Sequence, residues 1–146
     1  MWDSVEDKSL SIKKINDRLK ISLAQLSGVP VVPISGLYGK GLDKLFESVQ
    51  IIKSIWQKRI STGKLNRWLE MMLEAHPPPL VQGRRLRIRY MTQIKTRPPT
   101  FTLFTSRPED LPVSYVRYLI SGLRGEFKLK GIPIRVITRK GNNPYI

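Results

Sequence analysis

The sequence has no cysteine and a single histidine, His76. Disulfides, thiolate metal sites and cysteine nucleophiles are excluded, and a histidine-based metal cluster lacks ligands. No apolar run approaches the ~20 residues that a membrane-spanning helix requires. The stretch Met1-Trp2-Asp3-Ser4-Val5-Glu6-Asp7 is acidic and lacks the basic and apolar regions of a signal peptide. These absences point to a reducing, cytoplasmic compartment. Acids are also scarce, with 11 Asp and Glu against 26 Lys and Arg, a net charge of +15 in 146 residues. A polyanion is therefore the leading partner. Nucleic acid is favoured over a membrane face, because no helix pattern pairs a basic face with an exposed apolar one. With 40% of residues hydrophobic, the chain can build a core for one ordinary domain or two small ones.

The charge is uneven. Residues 1–62 carry ten Lys/Arg and six Asp/Glu, and eight of the ten bases are Lys. Residues 63–146 carry sixteen Lys/Arg and five Asp/Glu, and eleven of the sixteen bases are Arg. Arginine suits planar, bidentate phosphate recognition better than lysine does. The shift suggests two units with a boundary near Ser61-Thr62-Gly63.

In the first unit, Ile12, Ile15, Leu19, Leu23 and Leu26 recur at three- and four-residue steps, predicting an amphipathic helix within residues 5–27. Ser27-Gly28-Val29-Pro30 closes it. Val31-Val32-Pro33-Ile34 reads as a short buried strand. The loop Ser35-Gly36-Leu37-Tyr38-Gly39-Lys40-Gly41 leads into a second helix with Leu42, Leu45, Val49, Ile52 and Trp56 on one face. One four-residue strand cannot make a sheet, so two apolar helix faces are expected to lack their proper surface, as in a truncated α/β domain.

The second unit reads α-β-β-α-β. Leu65, Trp68, Leu69 and Met72 stripe a helix that ends at His76-Pro77-Pro78-Pro79. From Arg85 to Lys95 the pattern alternates: Leu86, Ile88, Tyr90, Thr92 and Ile94 on one face, Arg85, Arg87, Arg89, Met91, Gln93 and Lys95 on the other. Thr96-Arg97-Pro98-Pro99 turns the chain into a strand over Thr100 to Thr105. Pro108-Glu109-Asp110-Leu111-Pro112 reads as a helix start. Val116, Ile120, Leu123 and Phe127 stripe that helix, Gly131 ends it, and Ile132 to Thr138 is the third strand.

The strongest chemical signal is the row Arg85, Arg87 and Arg89. At period two, three guanidinium groups share one sheet face, about 7 Å apart, with Arg135 and Arg139 at matching parity on the third strand. Such a row is either a phosphate-contacting surface or a solvated or interdomain face. Other motifs are weak. Gly39-Lys40 lacks the glycine spacing and following Ser or Thr of a P-loop. Gly122-Leu123-Arg124-Gly125 matches the G-x-x-G backbone clamp of KH domains, but Leu123 lies on a helical stripe. His76 reads as a helix-terminal histidine, Glu70 and Glu74 as solvated surface, and Trp68, Tyr115 and Tyr118 as core or interface rather than base-stacking residues. No nucleophile, base and orienting group occur as a set, so neither catalytic nor metal-ligating residues are expected.

Many short motifs occur in one order: Trp2-Asp3, Pro33-Ile34-Ser35-Gly36, Leu65-Asn66-Arg67-Trp68-Leu69, His76-Pro77-Pro78-Pro79, Tyr90-Met91-Thr92-Gln93, Pro98-Pro99-Thr100-Phe101, Pro108-Glu109-Asp110-Leu111-Pro112, Ser114 to Leu119, Gly131-Ile132-Pro133-Ile134-Arg135 and Asn143-Pro144-Tyr145. Across essentially its whole length the chain resembles the C-terminal part of the Der (EngA) family of GTPases. That family is bacterial, carries two tandem GTPase domains followed by a KH-like domain, and acts in assembly of the large ribosomal subunit. The resemblance implies an α/β (α+β) chain. Residues 1–62 would be the C-terminal remnant of a P-loop GTPase domain, an α-β-α segment. Residues 63–146 would be a KH-like α-β-β-α-β domain with a three-stranded sheet and no reliance on G-x-x-G.

By the same resemblance Asp3 matches the acid of the N-K-x-D motif that reads guanine. Ser35 and Gly36 match the loop whose backbone contacts the guanine oxygen, with Gly36 in place of the usual Ala. The P-loop, the magnesium-binding Thr and the D-x-x-G motif are missing here. GTP or GDP is therefore the ligand of the full-length parent, with no cofactor and no GTP hydrolysis expected of this chain alone. Expected partners are large-subunit rRNA or a pre-ribosomal particle, together with the missing N-terminal GTPase domains, and no membrane. The RNA contacts would fall to Arg85, Arg87, Arg89, Arg135 and Arg139. Alternatively the basic face docks on the missing GTPase domains and the chain is a protein-interaction module.

Overall fold

The computed structural model describes residues 2–141, so Met1 and the Asn143-Pro144-Tyr145 motif lie outside the described residues. The chain forms two compact units: Met1–Trp56 with Lys130–Pro133, and Gln57–Leu129 with Ile134–Ile146.

The first unit holds helices α1 (Lys8–Ser22) and α2 (Leu42–Trp56). Asp7 caps α1 by accepting the Leu10 N–H at 2.9 Å, satisfying one orphan donor of the first turn. The helix stops at Ser22, and residues 24–26 continue as a 3₁₀ turn, so the expected helix to residue 27 is shorter. Val31 to Ile34 is not a strand. A strand needs a ladder partner, and no strand is assigned to this unit among the described residues. Its helices bury none of their residues fully. Phe46 (64% exposed) and Val49 (55% exposed) leave one face of α2 open. The short Lys130–Pro133 segment joins this unit through the Gly131 N–H, which donates to the Ser27 carbonyl at 2.8 Å. Gly131 has φ +78°, and a Cβ there would lie 3.1 Å from the Gly28 carbonyl oxygen. The sharp turn and close approach both require glycine.

The second unit is a two-layer α/β fold. Its elements are α3 (Thr62–Ala75), β1 (Leu80–Val81), β2 (Arg84–Arg85), β3 (Ile88–Thr96), β4 (Pro99–Thr105), α4 (Val113–Glu126) and β5 (Arg135–Lys140). The order α-β-β-α-β and the three-stranded sheet stand as expected, with a small β1–β2 hairpin added ahead of β3. β4 is central, antiparallel to β3 and parallel to β5. Leu65, Leu69, Met91, Phe101, Leu103, Leu119, Leu123 and Leu129 are almost completely buried and form the core.

The expected strand limits and faces need correction. Arg85 to Lys95 is not one continuous alternating strand. The chain leaves the β2 hairpin at Arg85, and β3 begins at Ile88. Register shifts fall between Ile88 and Tyr90 and between Gln93 and Lys95. A bulge inserts one residue and reverses the parity of everything after it. Met91 and Gln93 therefore point into the core, while Tyr90 and Ile94 are exposed. Gln93 is buried but satisfied: its side chain accepts the Ile60 N–H at 2.8 Å and donates to the Lys58 and Lys95 carbonyls. Asn66 of α3 donates to the Met91 carbonyl at 2.9 Å and accepts the Met91 N–H at 2.8 Å. Its side-chain amide thus stands in for a neighbouring strand along part of an edge that would otherwise be unpaired.

Two helical readings also shift. Pro108–Asp110 is a separate 3₁₀ turn, and α4 starts only at Val113. Pro112 holds Leu111 extended, at φ −74° and ψ 115°, as a residue before proline favours. The buried stripe of α4 centres on Tyr115, Leu119 and Leu123, one position from the expected Val116–Ile120 line. Gly131 lies beyond the helix end at Glu126, and the third strand begins at Arg135 rather than Ile132.

Candidate nucleic-acid interface

The three-stranded sheet turns one face to the core; on the other, Tyr90, Arg135, Ile137 and Arg139 of the edge strands are exposed, whereas Thr100 and Thr102 of the central strand are buried. Pairing places Tyr90 opposite Phe104, and Phe104 beside Arg139. Thr100 lies beside Arg135, and Thr102 beside Ile137. Alternation then sets Arg135, Ile137 and Arg139 of β5 on the same outward face as Phe104 of β4 and Tyr90 of β3. Tyr90 and Phe104 stack, with ring centroids 4.3 Å apart and planes 17° from parallel. Tyr90 is 44% exposed and Ile137 41% exposed. A Cβ on Gly141 would lie 3.1 Å from Cδ of Arg89 and 3.8 Å from Cβ of Phe104. The Arg89 stem therefore runs along the end of the sheet beside Phe104, in space that Gly141 leaves clear. No acid occurs in β3, β4 or β5. Among the described residues the ion pairs are Lys20–Asp17 and Arg107–Asp110, and no described carboxylate pairs with Arg89, Arg135 or Arg139.

The row of three arginines is broken. Arg85 belongs to the β2 hairpin, and Arg87 lies in the link before β3. The Arg87 backbone is held by Ser106, whose Oγ accepts its N–H at 3.1 Å and whose N–H donates to its carbonyl at 2.9 Å. Arg89 sits at the bulge. A period-two face needs an uninterrupted strand, and the hairpin and the bulge remove it. Arg87 and Arg89 instead line an open cleft of about 460 Å³ floored by Leu73, Pro78, Leu86 and Ile88. Arg135 and Arg139 do share a face, joined by Arg89 at its end. The Tyr90–Phe104 stack escaped the sequence reading because alternation put Tyr90 on the face opposite the arginines, and no local residue marks the bulge.

The remaining singled-out residues have clear places. Gly122 and Gly125 lie inside α4, and Leu123 is fully buried, so G-x-x-G forms no loop. Arg124 between them is buried and donates to the Leu129 carbonyl at 3.1 Å. Burial pushes its pKa down. Trp68 and Tyr115 are core residues. The Tyr115 hydroxyl donates to the His76 carbonyl at 2.6 Å. Burial, and then the neighbouring Tyr118, push the Tyr115 hydroxyl up to about 12. His76 ends α3, with Nδ1 3.1 Å from the Tyr118 hydroxyl.

In the first unit, Ser35 and Asp3 come together. The Ser35 Oγ donates to Asp3 Oδ2 at 2.9 Å and accepts the Tyr38 N–H at 3.2 Å. Ser35 is 3% exposed, and its own N–H donates to the Lys40 carbonyl. Gly36 follows, exposed, with open space about its α-carbon. Among the described residues no cluster of His, Asp or Glu is placed to hold a metal. Nor is any helix there long and apolar enough to cross a membrane.

The two-layer α-β-β-α-β arrangement with its mixed sheet defines a KH-like module. Residues 59–139 match the family model described as the KH-domain-like region of EngA bacterial GTPase enzymes, C-terminal. The chain belongs to that family. It is 49% identical over 145 residues to the GTPase Der of Bartonella bacilliformis, covering 99% of this chain and 31% of that protein. It is 50% identical over 144 residues to the GTPase Der of Brucella suis, covering 99% and 30% respectively. The GTPase Der of Bartonella henselae is 48% identical over 144 residues. The chain thus spans about 30% of the length of these relatives.

Proposed function

We propose that this chain is the C-terminal portion of a cytoplasmic bacterial GTPase acting in assembly of the large ribosomal subunit. In this reading residues 63–146 form a KH-like module that binds rRNA or the pre-ribosomal particle. Residues 1–62 form the C-terminal remnant of a GTPase domain. The observation that carries the reading is the charge: among the described residues no acid pairs with Arg89, Arg135 or Arg139, which lie about a sheet whose three strands contain none, in a chain of net charge +15. Such a surface suits a phosphate backbone. The RNA contacts fall first to Arg89, Arg135 and Arg139, with Arg85 and Arg87 on the adjoining hairpin and link.

The parent's nucleotide fits the first unit only in part. Guanine presents N–H donors on its ring edge, and the carboxylate of Asp3, held through one oxygen by Ser35, supplies acceptors of that kind. Ser35 and Gly36 would offer loop backbone beside it. The GTP or GDP phosphates would need residues outside this chain, so GTP hydrolysis belongs to the full-length protein with its N-terminal GTPase domains.

Binding of labelled large-subunit rRNA across a salt series tests the reading. Affinity should fall steeply as salt rises, because each neutralised phosphate releases counterions. Exposed Ile94 and Ile137 on the sheet favour a second reading, in which this face docks on the GTPase domains. Absence of RNA binding at low salt, with capture of a separately expressed N-terminal half, would establish that reading in place of the first.

A further inference from the structure

We propose that the Tyr90–Phe104 stack is a platform for unpaired RNA bases, with Arg89, Arg135 and Arg139 holding the backbone of the same single strand. The inference rests on the RNA-binding reading and narrows its ligand to single-stranded RNA. Three observations meet on one surface. The two rings are parallel to within 17° and in stacking contact at 4.3 Å. Tyr90 lies on an edge strand and is 44% exposed, so ring surface not covered by Phe104 is open to a further aromatic layer. The arginines lie around that stack. Arg139 pairs in register with Phe104, the Arg89 stem passes beside Phe104, and Arg135 lies four residues down β5, about 13 Å away.

The chemistry selects the ligand. A ring face without hydrogen-bonding groups accepts any base and discriminates little among them. In an A-form duplex the base faces are stacked on one another and unavailable, whereas loops, bulges and ends expose them. Arginines beside the rings add phosphate contacts and cation–π attraction. The absence of acids in β3, β4 and β5 suits a polyanion better than a basic partner. This surface differs from the helix-embedded Gly122–Gly125 segment, which is packed away from solvent at Leu123.

The test uses the full chain with two probes of equal length, an unstructured oligouridylate carrying one aminopurine and a self-complementary RNA duplex. The single strand should bind more tightly, and aminopurine emission should be quenched as the base enters the stack. Tyr90→Thr with Phe104→Thr, both compatible with a strand, should cost roughly ten- to a hundredfold in single-strand affinity. Duplex affinity and salt slope should be unchanged, and Tyr90→Phe should bind like the wild type. Unquenched emission on binding, or a double variant that binds both probes like the wild type, would overturn the platform and leave the RNA-binding reading standing. Quenching needs no variant, so it decides the matter even if the double substitution unfolds the protein. No binding of either probe at low salt would overturn both and assign the face to a protein partner.

Discussion

The hydroxyl of Tyr115 joins α4 to the end of α3 by donating to the His76 carbonyl at 2.6 Å. Beside it, the Tyr118 hydroxyl donates to the Met72 carbonyl at 3.0 Å. With the Tyr118 proton so placed, the contact to His76 is donated by the histidine Nδ1–H. Burial and the neighbouring Tyr118 raise the Tyr115 pKa to about 12, above the ~10 of an unfolded tyrosine. The unfolded chain therefore releases this proton first. The stability linked to Tyr115 is complete below pH ~10 and is lost as pH climbs through about 12. Tyr115→Phe should lose about 1 kcal/mol at neutral pH, and the gap to wild type should narrow across that alkaline window. Urea unfolding of both proteins at several pH values measures this, and a gap constant with pH would show that the hydroxyl is not shielded. At the residue scale much of the architecture was legible. Trp68 is a core residue as its helical stripe implied, and Tyr115 is one although the expected stripe ran through Val116, whereas Tyr90 was placed on the face opposite the arginines.

That misassignment belongs to the element. Alternation reads a strand as uninterrupted, yet β3 carries a shift at Arg89 and another after Gln93. Each exchanges inward and outward faces, and neither has a glycine or proline to announce it. Helices were easier, because a 3.6-residue stripe tolerates an error of one position, as in α4. The packing of α3 against α4 was invisible in sequence because it depends on what a residue lacks. A Cβ on Gly122 would lie 2.9 Å from Cζ2 of Trp68 and closer still to the Met72 methyl. The Met72 side chain can move, but the Trp68 ring is 4% exposed and has little room. Gly122→Val should lower stability by about 1–3 kcal/mol through overpacking. Gly122→Ala should lose less, because alanine regains about 1 kcal/mol of helix propensity. Thermal unfolding of the pair checks the order, and equal stability of all three proteins would mean that the helices are free to separate.

Over the whole molecule the buried apolar residues divide unequally. All of them except Ile132 fall in Gln57–Leu129 and Ile134–Ile146. Among the described residues of Met1–Trp56 the buried one is Ser35, which is polar. The composition change near Ser61–Gly63 lies close to this division, but the return of Lys130–Pro133 to the first unit had no compositional signature. Its cause is local, the positive-φ Gly131 and its bond to Ser27. Folding stability comes mainly from apolar burial set against chain entropy, so the two parts should behave differently when separated. A fragment of residues 57–146 should unfold in one cooperative thermal transition and retain the salt-sensitive RNA affinity of the whole chain. A fragment of residues 1–56, with half-buried helix faces and without Lys130–Pro133, should show no cooperative transition. Circular dichroism melts and parallel RNA titrations measure both. A cooperative melt for residues 1–56 would mean that its half-buried contacts suffice for a core. If residues 57–146 fold but bind RNA much more weakly than the whole chain, the lysines of the first unit carry part of the phosphate contact. The interface would then extend beyond the sheet.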